Sequence, residues 1–306
     1  MAGSPIRIAM DRGRSAIDSR TALREWKRRD DSLPQHVGVF VYFGSGEQYL
    51  YQMRDWLTPL AALAERLPAG SIEYNPGQLP IGIAPEDVPA PRLGVAETIR
   101  NIGQSGSWVA LKRIEQAPEY RALLHDILSE LRERVEARTG AMLQLEGFVF
   151  ITSPGSVTPF HFDPEHNILL QVMGSKTMTL FAADDEALFA PAVHEAFHVG
   201  AHHRNLPWRD DFAARGEAIT IAPGEAIHVP VKAPHWVQNG DAPSVSLSVT
   251  WRSAWSYAEA DARAFNHVMR DLGLDPASPA PFPARNAAKA LAWRAVLRLK
   301  GLARSA

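Results

Sequence analysis

Cysteine is absent from all 306 residues. That excludes disulfides, zinc–thiolate sites, thiolate-held iron–sulfur clusters and cysteine nucleophiles. No run of about 18 apolar residues occurs, so no segment reads as a membrane-spanning helix. Charge of one sign is missing too. The 32 basic and 34 acidic side chains leave a net charge of −2, too balanced to attract nucleic acid or an anionic membrane in general. The opening stretch MAGSPIRIAMDRGRS has no apolar core of signal-peptide length. Together with the missing disulfides, this gives the expectation of a cytoplasmic protein. No internal repeat is present. At 46% hydrophobic and 22% charged residues, the composition is that of an ordinary globular chain, long enough to bury a full core.

What is present centres on residues 158–181, TPFHFDPEHNILLQVMGSKTMTLF. Side chains alternate faces along an extended strand, so His161 and Asp163 should aim an imidazole and a carboxylate into the same space. That pair is two thirds of a 2-His-1-carboxylate facial triad, which holds Fe(II) and leaves coordination positions open. A later strand must return the second histidine. His235, in HVPVKAPHW, is the candidate. Asn167 follows Asp163 by four residues, and the apolar run from Ile168 to Val172 comes next. Gly174-Ser175-Lys176 reads as a tight turn, and Thr177 to Phe181 as the returning strand. Pro223-Gly224-Glu225 makes a second turn before the strand at Ile227–Val229 and then Pro234-His235-Trp236.

This ordered combination resembles the JmjC/cupin-like Fe(II)- and 2-oxoglutarate-dependent oxygenases. It runs TPxHxD, then Asn, GxK, PGE and a histidine five residues after a proline, and covers about 146–252. The resemblance implies a mainly β fold: a double-stranded β-helix, the cupin or jelly-roll barrel, with helical segments at both ends. It implies that His161, Asp163 and His235 hold Fe(II). It gives Lys176 the distal carboxylate of 2-oxoglutarate, Thr158 a hydroxyl contact to it, and Asn167 a place near the cosubstrate. Where members of the family carry an asparagine fifteen residues past the second histidine, this chain has Thr250.

The rest of the chain fits around that core. Residues 1–35 are polar and charged, and the stretch from Val37 to Phe43 reads as a strand before Gly44-Ser45-Gly46. Tyr49 to Leu67 reads as an amphipathic helix, and 71–95 as irregular, rich in Pro and Gly. Ser107 to Ile114 reads as a strand, and Glu119 to Arg138 as a helix with an apolar stripe of Leu124, Ile127, Leu128, Leu131 and Val135. Short strands follow at 148–152, 168–172, 177–181, 218–222, 226–229 and 245–251, the spacing of a sandwich or barrel. Residues 182–216 interrupt them. There, His194, His198 and His202 stand four apart, so a continuous helix would stack them on one face. No HExxH glutamate accompanies them, and an insertion at the barrel mouth, with Arg204 and Asn205 as substrate contacts, is the other reading. His166 should face away from the metal, His228 could line the pocket, and Trp236 reads as core. The tail is helical from Ala258 to Gly273 and again after a break at Pro276–Pro283. Its last helix is basic, with Leu291, Trp293, Val296, Leu297 and Leu299 as apolar surface for packing or for a homodimer.

The expected organisation is a flanking region over 1–105, a barrel over 106–255 and a helical extension over 256–306. The expected activity is hydroxylation of a C–H bond in a protein or peptide side chain, or in a small metabolite. Two rivals stand beside it. A non-oxidative cupin, such as an isomerase using another metal, has no need of Lys176. A binding protein could keep the barrel without turnover.

Overall fold

In the computed structural model, residues 39–40, 57–90 and 93–304 are described. The polar stretch at 1–35, the Gly44–Gly46 turn and the start of the helix expected from Tyr49 lie outside them.

Eleven strands are present among the described residues, and they form two antiparallel sheets. The larger orders its strands β1 (Val39–Phe40), β9 (Ala226–Val229), β6 (His166–Met173), β11 (Ser244–Ser253), β4 (Met142–Thr152), β3 (Ser107–Lys112) and β2 (Ile72–Pro76). The smaller orders β5 (Val157–His161), β10 (His235–Asn239), β7 (Lys176–Leu180) and β8 (Glu217–Ile221). Strand alternation divides the apolar residues between two cores. Leu169, Ile227 and Val229 of the large sheet meet Met178, Leu180, Ile219, Ile221 and Val237 of the small one, and this fills the space between the sheets. The opposite face of the large sheet carries Val109, Leu111, Val149, Ile151, Ile168, Leu170, Val245, Leu247, Val249 and Trp251. It packs on the helices α1 (Leu57–Arg66), α2 (Val95–Arg100) and α3 (Pro118–Thr139). Burying one such aliphatic side chain stabilises the fold by roughly 1.5–3 kcal/mol, so these two layers dominate. The expected double-stranded β-helix with flanking helices is what forms.

Most elements fall where the pattern placed them, with informative departures. Residues 72–76 were expected to be irregular, yet they form β2, paired in register with β3 from Ile72↔Leu111 to Pro76↔Ser107. β2 is an edge strand, where Pro76 is tolerated because no ladder hydrogen bond is required of it. Within 182–216, the helix α4 spans only Pro191–Phe197. His198 sits at its C-cap and His202 beyond it, so the three-histidine face that a continuous helix would make does not form. Gly174 turns the chain between β6 and β7 with φ +68°, and a Cβ there would sit 2.2 Å from the Pro243 carbonyl oxygen. At the C-terminal end, α5 (Ala254–Asp271) starts from a Ser253–Ser256 capping box. α6 (Ala287–Arg304) packs along it.

Candidate metal and cosubstrate site

The site begins with two phenylalanines. Phe160 and Phe162 are fully buried in an aromatic cluster with Phe181, Leu188, Leu206 and Phe212, on the face of the small sheet covered by the 182–216 segment. Anchoring them outward turns His161 and Asp163 inward, by the alternation of an extended chain. Strand β5 itself ends at His161, two residues earlier than an all-strand HxD would require. The extended path continues because the Phe162 N–H donates to the Arg204 carbonyl and His161 pairs with Asn205 in an isolated bridge. β10 then places His235 opposite His161 in antiparallel register.

The three side chains converge. One ligand atom from each of His161, Asp163 and His235 lies within 4.8 Å of the others. His161 Nε2 and His235 Nε2 are each 3.8 Å from Asp163 Oδ2. Their far nitrogens are engaged: Nδ1 of His161 is 2.7 Å from the Pro159 carbonyl, and Nδ1 of His235 is 2.9 Å from that of Ala233. A carbonyl only accepts, so each Nδ1 carries a proton and donates it, which turns each Nε2 toward Asp163. Burial, with His235 beside it, pushes the His161 imidazole down to about 4, which keeps it neutral. For Asp163, burial works to raise the pKa. The Arg204 guanidinium, with the two histidines, outweighs it and holds the carboxyl below the usual range. Arg204 Nη1 donates to Asp163 Oδ1 at 2.7 Å, leaving Oδ2 toward the histidines. Two imidazoles and an ionised carboxylate, each braced from behind, form the donor set of a facial triad.

Deeper in the barrel lies a second group. Lys176 starts β7, level with Asn239, four residues along from the Leu180–His235 pair. Its side chain is buried, 4% exposed, and has no hydrogen-bond or ion-pair partner among the described residues. Burial pushes its ammonium down to about 7. Thr158 Oγ1 accepts a hydrogen bond from Trp108 Nε1 at 3.1 Å. The hydroxyl therefore retains its own proton to donate. Asn167 Oδ1 accepts from Ser248 Oγ at 2.7 Å, and its Nδ2 has no partner among the described residues. An unpartnered buried cation, a hydroxyl and an amide left as donors are the terms for holding a carboxylate.

The remaining sequence candidates separate. His166 lies away from the triad, stacked on Trp251 at 5.2 Å and bonded to Ser253 Oγ. His228 lies on β9 with Ala226, on the alternation opposite to Ile227 and Val229, which fill the space between the sheets. It does not line the pocket. His194 packs between Phe162 and Phe189, at ring distances of 4.3 and 4.2 Å. Among the described residues, no group besides His161, Asp163 and His235 brings three metal-binding side chains together. Arg204, weighed as a substrate contact, instead braces the Asp163 carboxylate. Trp108 is a pocket residue that pattern reading did not assign. Its strand was legible, but its hydrogen bond to Thr158 spans 50 residues of sequence. Glu165 also stands near the triad. Burial and then the Asp163 carboxylate push its own carboxyl up to about 7.

Two sheets enclosing three convergent metal-ligand side chains and a buried lysine define a barrel with a candidate metal site. The chain belongs to the family of the cupin-like domain, whose model matches residues 97–257. The Jumonji C domain-containing protein 5 of Drosophila melanogaster is 33% identical over 106 residues, 32% of this chain and 25% of that protein. The lysine-specific demethylase 8 of Danio rerio is 29% identical over 102 residues, with the same coverage. This chain thus matches about a quarter of the length of these curated relatives. Among solved structures, the Escherichia coli ribosomal oxygenase YcfD in complex with cobalt and 2-oxoglutarate is similar at 15% identity. The TM-score is 0.45, over 90% of this chain and 66% of that one.

Proposed function

We propose that this protein is a cytoplasmic Fe(II)- and 2-oxoglutarate-dependent oxygenase that hydroxylates a C–H bond. The observation that carries the reading is the pairing of a braced 2-His-1-carboxylate set with the buried, unpartnered Lys176 in one barrel. His161, Asp163 and His235 would hold the metal through Nε2, a carboxylate oxygen and Nε2. Lys176 and Thr158 would take the distal carboxylate of 2-oxoglutarate, and Asn167 would donate its amide nearby. When bound, iron would couple dioxygen, the oxidant, to oxidative decarboxylation of 2-oxoglutarate, which would supply two of the four electrons and leave as succinate and carbon dioxide; the C–H bond would supply the other two. The chain's own part is positioning and exclusion. The Pro159 and Ala233 carbonyls fix the tautomers of the two histidines. Arg204 keeps Asp163 ionised without occupying Oδ2. Trp108 and Phe150, with ring centroids 5.8 Å apart, offer an apolar wall beside Thr158 that excludes water from the cosubstrate.

A non-oxidative cupin leaves Lys176 unexplained, since a buried cation with no anion is a standing cost. For the substrate we favour a protein or peptide side chain, because a curated relative carries the name of a lysine-specific demethylase. A small metabolite is the alternative. Hydroxylation and demethylation share the first event, attack on a C–H bond, and differ in whether that carbon sits on nitrogen. Leu291 and Leu299 of α6 are 64% and 66% exposed, and self-association through this helix is part of the same proposal. Sedimentation of wild type against Leu291→Glu measures it.

The test of the activity is an anaerobic titration of the Fe(II)-loaded protein with 2-oxoglutarate. It watches for the visible band that a 2-oxo acid gives on chelating Fe(II). The expected result is a band in wild type that is lost or greatly weakened in Lys176→Ala at the same concentration. No band in folded, metal-replete protein would sink the oxygenase reading.

A further inference from the structure

The triad is braced a second time, from the C-terminal helix. The turn between β9 and β10 runs through Val231, Lys232 and Ala233, all buried. It touches two of the three ligands. The Lys232 backbone N–H donates to the Asp163 carbonyl at 2.8 Å, and the Ala233 carbonyl accepts from His235 Nδ1 at 2.9 Å. To make the first contact, Lys232 takes a left-handed backbone, φ +66°, which an L residue other than glycine, asparagine or aspartate seldom adopts. Something must hold it there.

Its side chain supplies the hold. Lys232 Nζ lies 2.6 Å from Glu259 Oε1, on α5. The same oxygen is paired with Arg263 Nε, one turn further along the helix. Lys232, Glu259 and Arg263 are 6%, 2% and 5% exposed, so the cluster is shielded from solvent and salt. A buried charge left without its partner is strongly disfavoured, which makes this anchor stiff rather than sliding. The Lys232–Glu259 pair therefore ties a strained loop that touches two of the candidate metal ligands to a helix that supplies none.

We propose that Lys232, pinned by Glu259, is a positioning residue for the metal centre: the Lys232–Glu259 ion pair fixes the loop that orients Asp163 and His235. This rests on the metal-binding reading above. α5 is thereby part of the site, although it lies at the C-terminal margin of the 97–257 family match and continues beyond it.

Two variants separate positioning from plain core stability. Lys232→Met unhooks the loop and leaves Glu259 paired with Arg263. Arg263→Met removes one buried cation from the same cluster and leaves Lys232 paired with Glu259. Each leaves a one-to-one ion pair, so both are expected to fold. The probe is Co(II) alone, titrated calorimetrically and by its visible d–d spectrum, with thermal denaturation alongside. Lys232→Met is expected to weaken Co(II) binding by about tenfold or more, the range for residues that orient metal ligands, and to change the d–d spectrum. Arg263→Met is expected to bind Co(II) as wild type does, with the wild-type spectrum. Equal losses in both variants, or wild-type affinity and spectrum in Lys232→Met, overturn the proposal. Failure of wild type itself to bind Co(II) would instead strike the metal-site reading.

Discussion

The two ends of the barrel are built on opposite electrostatic terms. At the mouth, each triad side chain is braced on its far side: Asp163 by Arg204, His161 by the Pro159 carbonyl and His235 by that of Ala233. At the level of Lys176, roughly 13 Å along the strand at 3.3 Å per residue, a buried ammonium has no partner among the described residues. The side chains at the mouth are paired from behind, and the Lys176 ammonium is not paired among the described residues. The comparison teaches that preorganisation takes two forms: neutral and anionic donors can be satisfied from behind and wait cheaply, whereas a buried cation waits at a cost that only its ligand removes.

The largest effect should come from breaking the mouth. Asp163→Ala is expected to abolish measurable Co(II) binding by calorimetry. It should do so with little change in thermal stability, because the Arg204 it leaves behind is half exposed and can be hydrated. Retention of Co(II) affinity within tenfold would show that the carboxylate is not a ligand.

Next comes the deep end, where the two readouts should move in opposite directions. Lys176→Met removes an unpartnered buried charge while keeping its bulk. The ligand-free protein should melt at a higher temperature. Affinity of the Co(II)-loaded protein for 2-oxoglutarate should fall by about 2–4 kcal/mol, roughly 30- to 1,000-fold. A lower melting temperature would mean that the ammonium has a partner in solution and that the contrast between the two ends is false.

Acidity sharpens the contrast. The Lys176 pKa of about 7 in the fold lies below the usual 10.5 of a lysine. Its destabilisation of the ligand-free protein is therefore full below pH 7. It fades as pH rises toward 10.5, where the unfolded chain also loses the proton. Binding has the opposite sign, since the anion needs the ammonium. Affinity for 2-oxoglutarate should be level below pH 7 and fall by up to about tenfold per unit above it. Calorimetry at pH 6.5, 7.5 and 8.5 measures this, and a slope that persists in Lys176→Met would assign it elsewhere.

The smallest change is Thr158→Val, which deletes one hydroxyl donor. It is expected to cost about 1 kcal/mol, roughly fivefold in 2-oxoglutarate affinity, with metal binding untouched. An equal loss of Co(II) affinity would place Thr158 at the mouth rather than beside the cosubstrate.

Much of the fold was legible because its signals are local. Residues 168–172 and 177–181 read as strands on either side of the Gly174 turn from β-branched and apolar content alone, although only the fold sends them to different sheets, β6 to the larger and β7 to the smaller. The stripe from Leu124 to Val135 showed α3. What stayed hidden depended on partners far away in sequence. Residues 72–76 are strand because β3 is there to pair with, not because IEYNP has strand character. His194, His198 and His202 carry a helical spacing, but the helix stops at Phe197, and His194 is held between two phenylalanine rings. The spacing was real and the helix was not long enough to use it.

By itself the sequence determined which chemistry was on offer. It contains no thiol, it places His161 and Asp163 two apart between outward-facing phenylalanines, and it sets Asn167, Lys176 and His235 in a family order. These are properties of short-range alternation and residue type, and they survive without a fold. Only the tertiary structure decided how those groups are held. The Arg204–Asp163 bond joins residues 41 apart in sequence, and Trp108 donates to Thr158 across 50. Glu259 reaches the loop through Lys232 from a separate helix. None of these partners meets until the sheets have closed and the helix has docked, and at Lys232–Glu259 burial of both groups also removes competing water and makes a single long-range partner count.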